Sequence, residues 1–589
     1  MSPLSEMITK TRSVRALISL LKSNNIKNCV LCPGSKNMGI VLSLQNDPYF
    51  HKVSAVDERE AIYLAIGIAK ATDSPVLITC TSGQAARNFI AGMSNAYANN
   101  IPLIVCTADY HQVFHDCDFP QVIESKQVPT NTTVNTYDIP IVESKMDNSA
   151  LICMLNKGFS EMLLTNKPVH FNFRFDKHWE PTNQPISKVR NIEVVVGDSS
   201  LIKQIKPHQK VLFVIGQGNW STEEISSINA LLYNTNSFAY TFNISNFHSS
   251  KSLNGSRILI CQRPSVLKPD LIITIGSLSG DYFIQSFLEN KNIEHWHLGC
   301  NGHFNDKYNS NHKHIIGDLT DLSRDLEFKQ ENCPEELNNY FNSWKSIYDN
   351  IKMPPKSCLS HYSIASLLHN KIPANSSIHL SILSSYRNWD LFPLPETVRA
   401  FCNVAAFGID GCLSTFLGHS RFNPFDSFLI IGDLSFFYDM SILTGCTLSK
   451  NVNIVLVNNR GGAEFRMFSN AADKYFGGEA DKFVAASNHN SSSVKEFVTS
   501  IGFNYFPCDS INLLDKKLLA FLADNENPSF LEVFTDIKGD SNVLEELVNL
   551  NRQEISIKVK LKSRISSTAK KLIPQAFIEA IKNQRKRDF

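Results

Sequence analysis

The sequence predicts an α/β protein with three doubly wound parallel-sheet domains and a basic C-terminal tail. Its 589 residues are too many for a single hydrophobic core and fit two to four domains. Short apolar runs alternate with helical patterns along most of the chain, as in parallel sheets with crossover helices. Some apolar runs end in polar residues, which is typical of strands that lead to a ligand site.

The first unit is predicted to cover residues 1–185. Helices are expected at 8–24, 59–72 and 84–98, where apolar residues recur at helical spacing. Strands are expected where short apolar runs are bounded by turn residues. These runs are 28–31, 76–80, 103–106 and 169–173. Residues 177–185 are interpreted as a linker.

A second unit is predicted at 195–345, with strands at 211–215 and 271–276. Gly216 and Gly218 follow the first of these strands. Two glycines are only a fragment of a nucleotide-binding fingerprint, so a plain turn is favoured.

The third unit is predicted at 356–545, after the polar segment 329–337 and the Pro354-Pro355 turn. Its expected strands are 378–381, 427–431, 454–457 and 530–534. The alternation of strands with helices again indicates a parallel sheet.

Composition excludes several classes of protein. A hydrophobic content of 43%, a charged content of 19% and a net charge of +1 describe an ordinary globular chain with no general affinity for nucleic acid. We expect neither a transmembrane helix nor a signal peptide, and a cytoplasmic location. The 14 cysteines are expected to be buried free thiols. Cys29 and Cys32 have no partner pair, which disfavours zinc or redox chemistry.

The predicted tail, residues 550–589, differs in composition from the rest of the chain. Lysine and arginine dominate it from Arg552 onward, and Leu572 and Phe577 belong to a weak apolar face. A solvated extension is the simple interpretation. The alternative is a basic amphipathic element that contacts anionic lipid at a membrane surface, or a partner.

Two polar pairs, Gly432-Asp433 and Asn458-Asn459, are the most informative feature of the sequence. Each follows an apolar run, and 24 residues separate the pairs, which leaves room for one helix. Parallel strands would bring the Asp433 carboxylate and the Asn459 amide together at the carboxyl edge of the sheet. Both supply hard oxygen ligands, suited to Mg²⁺ or Ca²⁺ carrying a diphosphate. The arrangement resembles the diphosphate-binding motif of thiamine diphosphate enzymes.

Further motifs extend this resemblance from about residue 10 to about residue 540. Together they resemble the MenD family, the thiamine diphosphate-dependent 2-succinyl-5-enolpyruvyl-6-hydroxy-3-cyclohexene-1-carboxylate synthases of menaquinone biosynthesis. The matching segments, in the same order and at comparable spacing, are 32–35, 57–59, 81–83, 107–109, 408–411, 432–435 and 458–462.

The resemblance implies a pyruvate decarboxylase-like architecture. The first unit would bind the aminopyrimidine of thiamine diphosphate, and the third would bind its diphosphate with Mg²⁺, or with Mn²⁺ or Ca²⁺. The middle unit often carries no catalytic groups in such enzymes. A homodimer or homotetramer is also implied, with the cofactor between the first unit of one subunit and the third unit of another.

The resemblance also implies roles for individual residues. Glu58 would hydrogen-bond a ring nitrogen of the aminopyrimidine and support proton transfer, although it could instead belong to a charged surface run. Ile409 would keep the cofactor bent by packing, unless it is an ordinary core residue. Asp433, Asn459 and the carbonyl of Gly461 would ligate the metal.

Other implied residues surround the cofactor and the substrates. Gly432 and Ser435, at the start of the following helix, would help to hold the diphosphate. Gln121 could alternatively be a loop residue without a role. The residues implied to line the cofactor or substrate pocket are Ser35, Lys36, Ser82, Gly83, Gln121, Arg387 and Phe465.

The sequence departs from the family where the acceptor would bind. Lys36 and Tyr110 stand where the family has arginines, and another arginine is missing from residues 403–407. Arg387 matches a family arginine that helps to hold the donor acid, but Leu383 replaces a serine. Arginine binds carboxylates in a bidentate manner, whereas lysine offers a point charge. These changes predict an intact cofactor site with an altered acceptor.

The leading hypothesis is therefore a thiamine diphosphate- and Mg²⁺-dependent 2-oxoacid decarboxylase and carboligase whose acceptor is not isochorismate. Tyr110, His111 and His115 could line a pocket for a neutral or hydroxylated acceptor such as a sugar, or could be surface loop residues. One alternative is the family reaction itself, with 2-oxoglutarate as donor and isochorismate as acceptor. A non-catalytic protein of the same fold is a second alternative, which the retained cofactor residues disfavour.

Overall fold

The computed structural model describes residues 7–552, except for 116, 177–179, 207, 236, 278–279, 290–292, 300–303, 327–334, 405, 468–470, 488–492 and 524–525. The predicted basic tail therefore lies almost entirely outside the described residues. The chain forms two compact units. One contains Met1–Leu253 and Lys268–Ser343, and the other contains Asn254–Leu267 and Trp344–Phe589. The three predicted domain boundaries stay predictions.

The first sheet has six parallel strands in the order β3-β2-β4-β5-β7-β6, and β1 pairs antiparallel with β8 beside it. The strands are β1 Ile8–Thr9, β2 Asn28–Leu31, β3 His51–Ser54, β4 Val76–Cys80, β5 Leu103–Tyr110, β6 Thr136–Ile139, β7 Val169–Phe175 and β8 Pro181–Thr182. The helices around it are α1 Arg12–Ser23, α2 Met38–Gln45, α3 Glu58–Thr72, α4 Gln84–Asn88, α5 Ile90–Ala98 and α6 Lys145–Thr165.

Helices cover both faces of this sheet. Leu31 of β2 packs in one buried cluster with Leu17 of α1. Its neighbour Val30 packs in a second cluster with Ile62 of α3. Because successive strand residues point to opposite faces, two separate cores indicate the doubly wound arrangement that the sequence predicts.

The second sheet has seven strands in the order β12-β11-β10-β13-β14-β15-β9, and the pairings from β11 to β9 are parallel. The strands are β9 Glu193–Val196, β10 Val211–Ile215, β11 Phe238–Thr241, β12 Ser252–Asn254, β13 Leu271–Ile275, β14 Glu294–Leu298 and β15 Asn311–Ile316. The helices of this stretch are α7 Ser199–Ile202, α8 Thr222–Asn234, α9 Ser256–Cys261, α10 Tyr282–Leu288, α11 Leu319–Ser323 and α12 Glu335–Asn350, of which α9 belongs to the other unit.

The glycine turn after β10 is closed. A Cβ atom on Gly216 would lie 1.7 Å from the carbonyl oxygen of Ser277, and one on Gly218 would lie 2.2 Å from the Trp220 ring. The Trp220 indole donates a hydrogen bond to the carbonyl of Ser245 at 2.8 Å. The Trp220 ring fills the space beside Gly218, and the Ser277 backbone fills the space beside Gly216. This packing agrees with the plain turn that the sequence favours.

The third sheet is parallel throughout, in the order β17-β16-β18-β19-β21-β20. Its strands are β16 Ser377–Leu380, β17 Arg399–Phe401, β18 Ser427–Gly432, β19 Val452–Asn458, β20 Asn504–Cys508 and β21 Ser529–Phe534. The helices are α13 His361–Leu368, α14 Ser384–Trp389, α15 Cys412–Ser420, α16 Asp433–Asp439, α17 Ile442–Gly445, α18 Ala471–Phe476, α19 Glu479–Phe483, α20 Lys495–Ser500, α21 Ile511–Phe521 and α22 Ile537–Leu550.

Some elements differ from the sequence prediction. β5 extends to Tyr110 because the buried Arg174 on β7 pairs with Asp109, so a charged residue continues the strand. The helix predicted at 84–98 is divided at Phe89 into α4 and α5. β3 is exposed along its whole length and lacks the apolar pattern that reveals a strand.

The cysteines in the described ranges are free thiols, as predicted, but not all are buried: Cys117 is exposed and four others are only half-buried. Burial raises the pKa of Cys29 and of Cys32 to about 12 each, so both are protonated at neutral pH. Within those ranges no helix is both long and apolar enough to cross a membrane.

Several histidines are buried in their neutral form. His170 on β7 is 1% exposed and lies 2.8 Å from the Thr107 hydroxyl, and burial lowers its pKa to about 4. His379 on β16 lies against Phe401, with ring centroids 5.0 Å apart, and burial lowers its pKa to about 3. In the unfolded chain both would titrate near 6.5.

We expect stability to fall as the pH drops below about 6.5, because the unfolded chain then binds protons that the folded histidines do not. At pH 5 each of the two should cost about 2 kcal/mol of unfolding free energy. Urea denaturation at pH 7.5, 6.0 and 5.0 measures this slope. H379F keeps the ring contacts and should flatten the slope; an unchanged slope in H379F would contradict the assignment.

Candidate active site

The two polar pairs of the third sheet lie side by side, as the sequence predicts. The Cα of Gly432 in β18 is in register with that of Val457 in β19. Asp433 begins α16 and Asn459 directly follows β19, so both side chains leave the same edge of the sheet. Both are buried, with 1% of Asp433 and 8% of Asn459 exposed.

The turn after β19 has a fixed shape. Arg460 adopts a left-handed conformation with φ of 61°, and the Asn459 Oδ1 atom accepts a hydrogen bond from the Gly461 amide at 3.1 Å. A Cβ atom on Gly461 would lie 2.8 Å from the carbonyl oxygen of Ala485. The position therefore requires glycine, and its carbonyl, the predicted metal ligand, belongs to a tightly packed turn.

The donors at this edge suit a hard divalent cation. No cluster of three His, Cys, Asp or Glu side chains in the described part of the chain could hold a metal. An ion here would instead use the Asp433 carboxylate, the Asn459 amide oxygen and the Gly461 carbonyl, and phosphate oxygens would complete its shell. One or two carboxylates plus phosphates is the usual donor set for Mg²⁺.

The loop that carries Ile409 is hydrogen-bonded to helix α16, which begins at the carboxyl edge of the third sheet. Ser435, in the first turn of α16, donates a hydrogen bond to the Ile409 carbonyl at 2.5 Å. Gly411 has a φ of 73°, which glycine adopts without strain. Ile409 itself is only half-buried, in contrast to the fully buried core isoleucines. Its side chain is therefore accessible to a ligand, and its role and that of Ser435 stay predictions.

Glu58 occupies the start of α3 in the first sheet. The Asp57 side chain caps this helix by accepting a hydrogen bond from the Glu60 amide at 3.1 Å. Glu58 is half-buried, whereas its neighbours Arg59 and Glu60 are exposed. Its Oε2 atom accepts a hydrogen bond from the Asn88 side chain at 3.0 Å. Glu58 is thus oriented by a side chain from the neighbouring helix α4.

The predicted substrate residues of the first sheet gather at its carboxyl edge. Lys36, beside the exposed Ser35, donates its amide to the Thr81 hydroxyl at 3.3 Å. Gly83, next to Ser82, has a φ of 72°, and a Cβ atom there would lie 3.3 Å from the Gln121 carbonyl oxygen. The loops after β2, β4 and β5 therefore come together here.

Lys36 is a buried cation with an aromatic partner. It is 6% exposed, and its ammonium lies 3.9 Å from the centroid of the Tyr110 ring. Burial lowers the pKa of Lys36, and the negative charges of Asp176 and Asp109 oppose this change. The Tyr110 hydroxyl donates to the Gln121 side-chain oxygen at 3.0 Å. Tyr110 therefore covers the ammonium and ties the loop after β5 to it.

Arg174 organises this loop from β7. Its guanidinium binds Asp109 at 3.3 Å, Asp138 at 2.8 Å and Glu124 at 3.3 Å. It also donates to the His115 ring at 2.5 Å and to the Tyr110 carbonyl at 3.2 Å. His115, proposed from the sequence as a pocket residue, is thus part of a buried ion network.

Arg387 and Phe465, the predicted pocket residues of the third sheet's unit, differ in how far they are engaged by other side chains. The Arg387 guanidinium makes a bidentate pair with Glu464, at 2.6 and 3.1 Å. Leu383, just before α14, has a φ of 64° and a ψ of −121°, an unusual conformation for leucine. Phe465 is 37% exposed in a short 3-10 helix after the glycine turn. A donor carboxylate at Arg387 would compete with Glu464.

Sequence reasoning missed three polar residues, each of which holds predicted site residues of its own unit in place: Asn88, Arg174 and Asp540. Asn88 follows Glu58 by 30 residues, and Asp540 follows Asn459 by 81. No local pattern links such pairs, because the contacts depend on how the helices pack.

Comparison with known proteins agrees with the resemblance seen in the sequence motifs. Residues 11–126 match the family described as "Thiamine pyrophosphate enzyme, N-terminal TPP binding domain". This match, together with the parallel-sheet fold, makes the chain a relative of the thiamine diphosphate-dependent enzymes. The similarity implies thiamine diphosphate and a divalent metal such as Mg²⁺ as cofactors.

More particularly, the chain is related to the 2-succinyl-5-enolpyruvyl-6-hydroxy-3-cyclohexene-1-carboxylate synthases. It is 28% identical to such a protein of Flavobacterium johnsoniae, over 91% of this chain and 98% of the relative. It is also 28% identical to one of Phocaeicola vulgatus, over 92% and 98%. The synthase of Bacteroides thetaiotaomicron is 27% identical, over 93% of this chain and 100% of the relative.

The conformation of Gly83 yields a stability prediction. G83A should lose about 1–3 kcal/mol of unfolding free energy, because alanine is strained at this φ and ψ. Gly67, inside α3 with open space around an added Cβ, is the matched control, and G67A should gain about 0.5–1 kcal/mol. Urea denaturation of the two variants compares them, and equal effects would contradict the structure of this turn.

Proposed function

We propose that the protein is a thiamine diphosphate- and Mg²⁺-dependent enzyme that decarboxylates a 2-oxoacid and joins the remaining acyl unit to an acceptor. The observation that carries this proposal is the side-by-side position of Asp433 and Asn459 at the ends of paired parallel strands. The oriented carboxylate of Glu58 and similarity over 91% of the chain support it.

Each residue contributes a simple function to this chemistry. When bound, thiamine diphosphate supplies a nucleophilic carbon and an electron sink for the loss of CO₂. Asp433 and Asn459 would hold the metal, and Ile409 would pack against the cofactor. Glu58, held in place by Asn88 at Oε2, would bind the aminopyrimidine nitrogen. A carboxyl group in this position can hold or release a proton at that nitrogen.

The similarity to the synthases changes the order of the two acceptor hypotheses. The sequence favours an acceptor other than isochorismate, because two arginine positions hold Lys36 and Tyr110. Similarity along the full length of the synthases supports the family reaction instead. We therefore rank first the reaction of 2-oxoglutarate with isochorismate.

A changed acceptor is the second candidate, and one observation favours it. Lys36 is covered by Tyr110 at 3.9 Å, and Arg174 is engaged by three carboxylates. An acceptor carboxylate at this edge would therefore meet the point charge of Lys36 and not a free, bidentate arginine. Each charged hydrogen bond lost would weaken binding by about 1.5–3 kcal/mol.

We also propose that the enzyme is cytoplasmic and that it forms the homodimer or homotetramer that the resemblance implies. Tyr63 and Leu64 lie on α3, the helix that begins at Glu58, and are 45% and 41% exposed. A second subunit would cover these apolar side chains.

Glu58 offers the direct test of the chemistry. E58Q should reduce CO₂ release from 2-oxoglutarate by about 10²–10⁴-fold, because the amide cannot take part in proton transfer. The assay measures CO₂ with saturating thiamine diphosphate and Mg²⁺. E60Q, at an exposed position in the same helical turn, should retain activity. Wild-type rates in E58Q would refute the proposed role.

The acceptor can be tested with a panel of 2-oxoacids, with and without isochorismate, followed by mass analysis of the products. The first candidate predicts one carboligation product from 2-oxoglutarate and isochorismate. The second predicts CO₂ release from a donor but no product with isochorismate. Failure to release CO₂ from every donor would contradict both.

A further inference from the structure

Asp540 is a buried carboxylate that contacts the predicted metal site from behind. It is 2% exposed and lies in the first turns of α22. Its Oδ2 atom accepts hydrogen bonds from the Asn459 side chain at 2.8 Å and the Thr535 hydroxyl at 2.9 Å. Its Oδ1 atom accepts one from the His361 amide at 2.8 Å. All three donors thus converge on one acceptor group.

These contacts fix the orientation of the Asn459 side-chain amide, that is, which side its NH₂ group faces and which side its oxygen faces. An ionised carboxylate only accepts hydrogen bonds, so Asn459 must direct its NH₂ group toward Asp540. The Oδ1 atom then points to the opposite side, where it already accepts the Gly461 amide at 3.1 Å. A carbonyl oxygen has two lone pairs, so one is left for a cation.

We propose that Asp540 is a positioning residue of the metal site: it orients Asn459 so that the amide presents oxygen, and not NH₂, to the cation. This inference rests on the proposed function, because it assumes that Asn459 is a metal ligand. Residues that orient the first ligands of a metal often affect its affinity strongly, by about 10–100-fold.

The isosteric variant D540N should reverse the orientation. The His361 amide begins α13 and needs an acceptor, so the oxygen of the introduced amide should stay with it. The NH₂ group of the introduced amide then faces Asn459, whose side chain must turn to offer its own oxygen. After that rotation Asn459 would present NH₂ to the Gly461 amide and to the cation, and both contacts would be lost.

Exchanging the two side chains gives a stricter test. In N459D/D540N the amide at position 540 donates to the carboxylate at position 459, and either carboxylate oxygen can face the cation. The pair keeps one carboxylate and one amide, so its total charge is unchanged. We therefore expect the double variant to recover most of the Mg²⁺ affinity that D540N loses.

The experiment measures Mg²⁺ binding by calorimetry at saturating thiamine diphosphate, with the full-length protein and without turnover. D540N should bind Mg²⁺ about 10–100-fold more weakly, and N459D/D540N should bind it nearly as well as the unmutated protein. D536N is the matched control, an isosteric change at the exposed cap of the same helix, and should not differ. Thermal unfolding checks the fold of each variant.

Each outcome has a defined meaning. Unchanged affinity in D540N, or a double variant N459D/D540N that binds Mg²⁺ no better than D540N, would overturn the inference. If D540N does not fold, the double variant still tests it, because the exchange restores the hydrogen bonds. Absence of Mg²⁺-dependent cofactor binding in the unmutated protein would instead refute the proposed function.

Discussion

The parallel pairing of β18 with β19 is the constraint on which the diphosphate side of the site depends. Six register pairs, from Ser427 with Val452 to Gly432 with Val457, fix the two strands. Because side chains alternate along a strand, a slip of one residue would move every apolar side chain to the wrong face. All seven residues of β19 are buried, which makes such a slip costly. The hydrophobic pattern thus sets where Asp433 and Asn459 emerge.

Buried carboxylates then hold the loops that leave the sheets. Glu532 on β21 is fully buried and accepts hydrogen bonds from the side chains of Asn458, Ser493 and Tyr505. Asp540 does the same for Asn459. The two adjacent asparagines are therefore anchored by different carboxylates, and each carboxylate collects donors from several segments. Such groups are stable when buried because their hydrogen-bonding capacity is met.

Much of this architecture could be predicted from local sequence. The strands at 28–31, 76–80 and 211–215 have the expected bounds because their apolar runs end at clear turn signals. The exposed strand β3 could not be predicted, since nothing in its pattern separates it from a loop. At the site, Asp433 and Asn459 were found by their spacing, and Glu58 and Ile409 by the family resemblance. Arg174 and Asp540 were not found, because their partners lie on elements that are distant in sequence.

Trp220 shows how a ligand crevice can be closed while the fold around it is kept. Its ring occupies the space beside Gly218 and Gly276, where a Cβ atom would meet it at 2.2 and 3.3 Å. Truncating this side chain would leave a flat void at the carboxyl edge of the second sheet, with one acceptor, the Ser245 carbonyl, at its end. A smaller residue at position 220 would therefore open this edge of the second sheet to a ligand without changing the strands that form it.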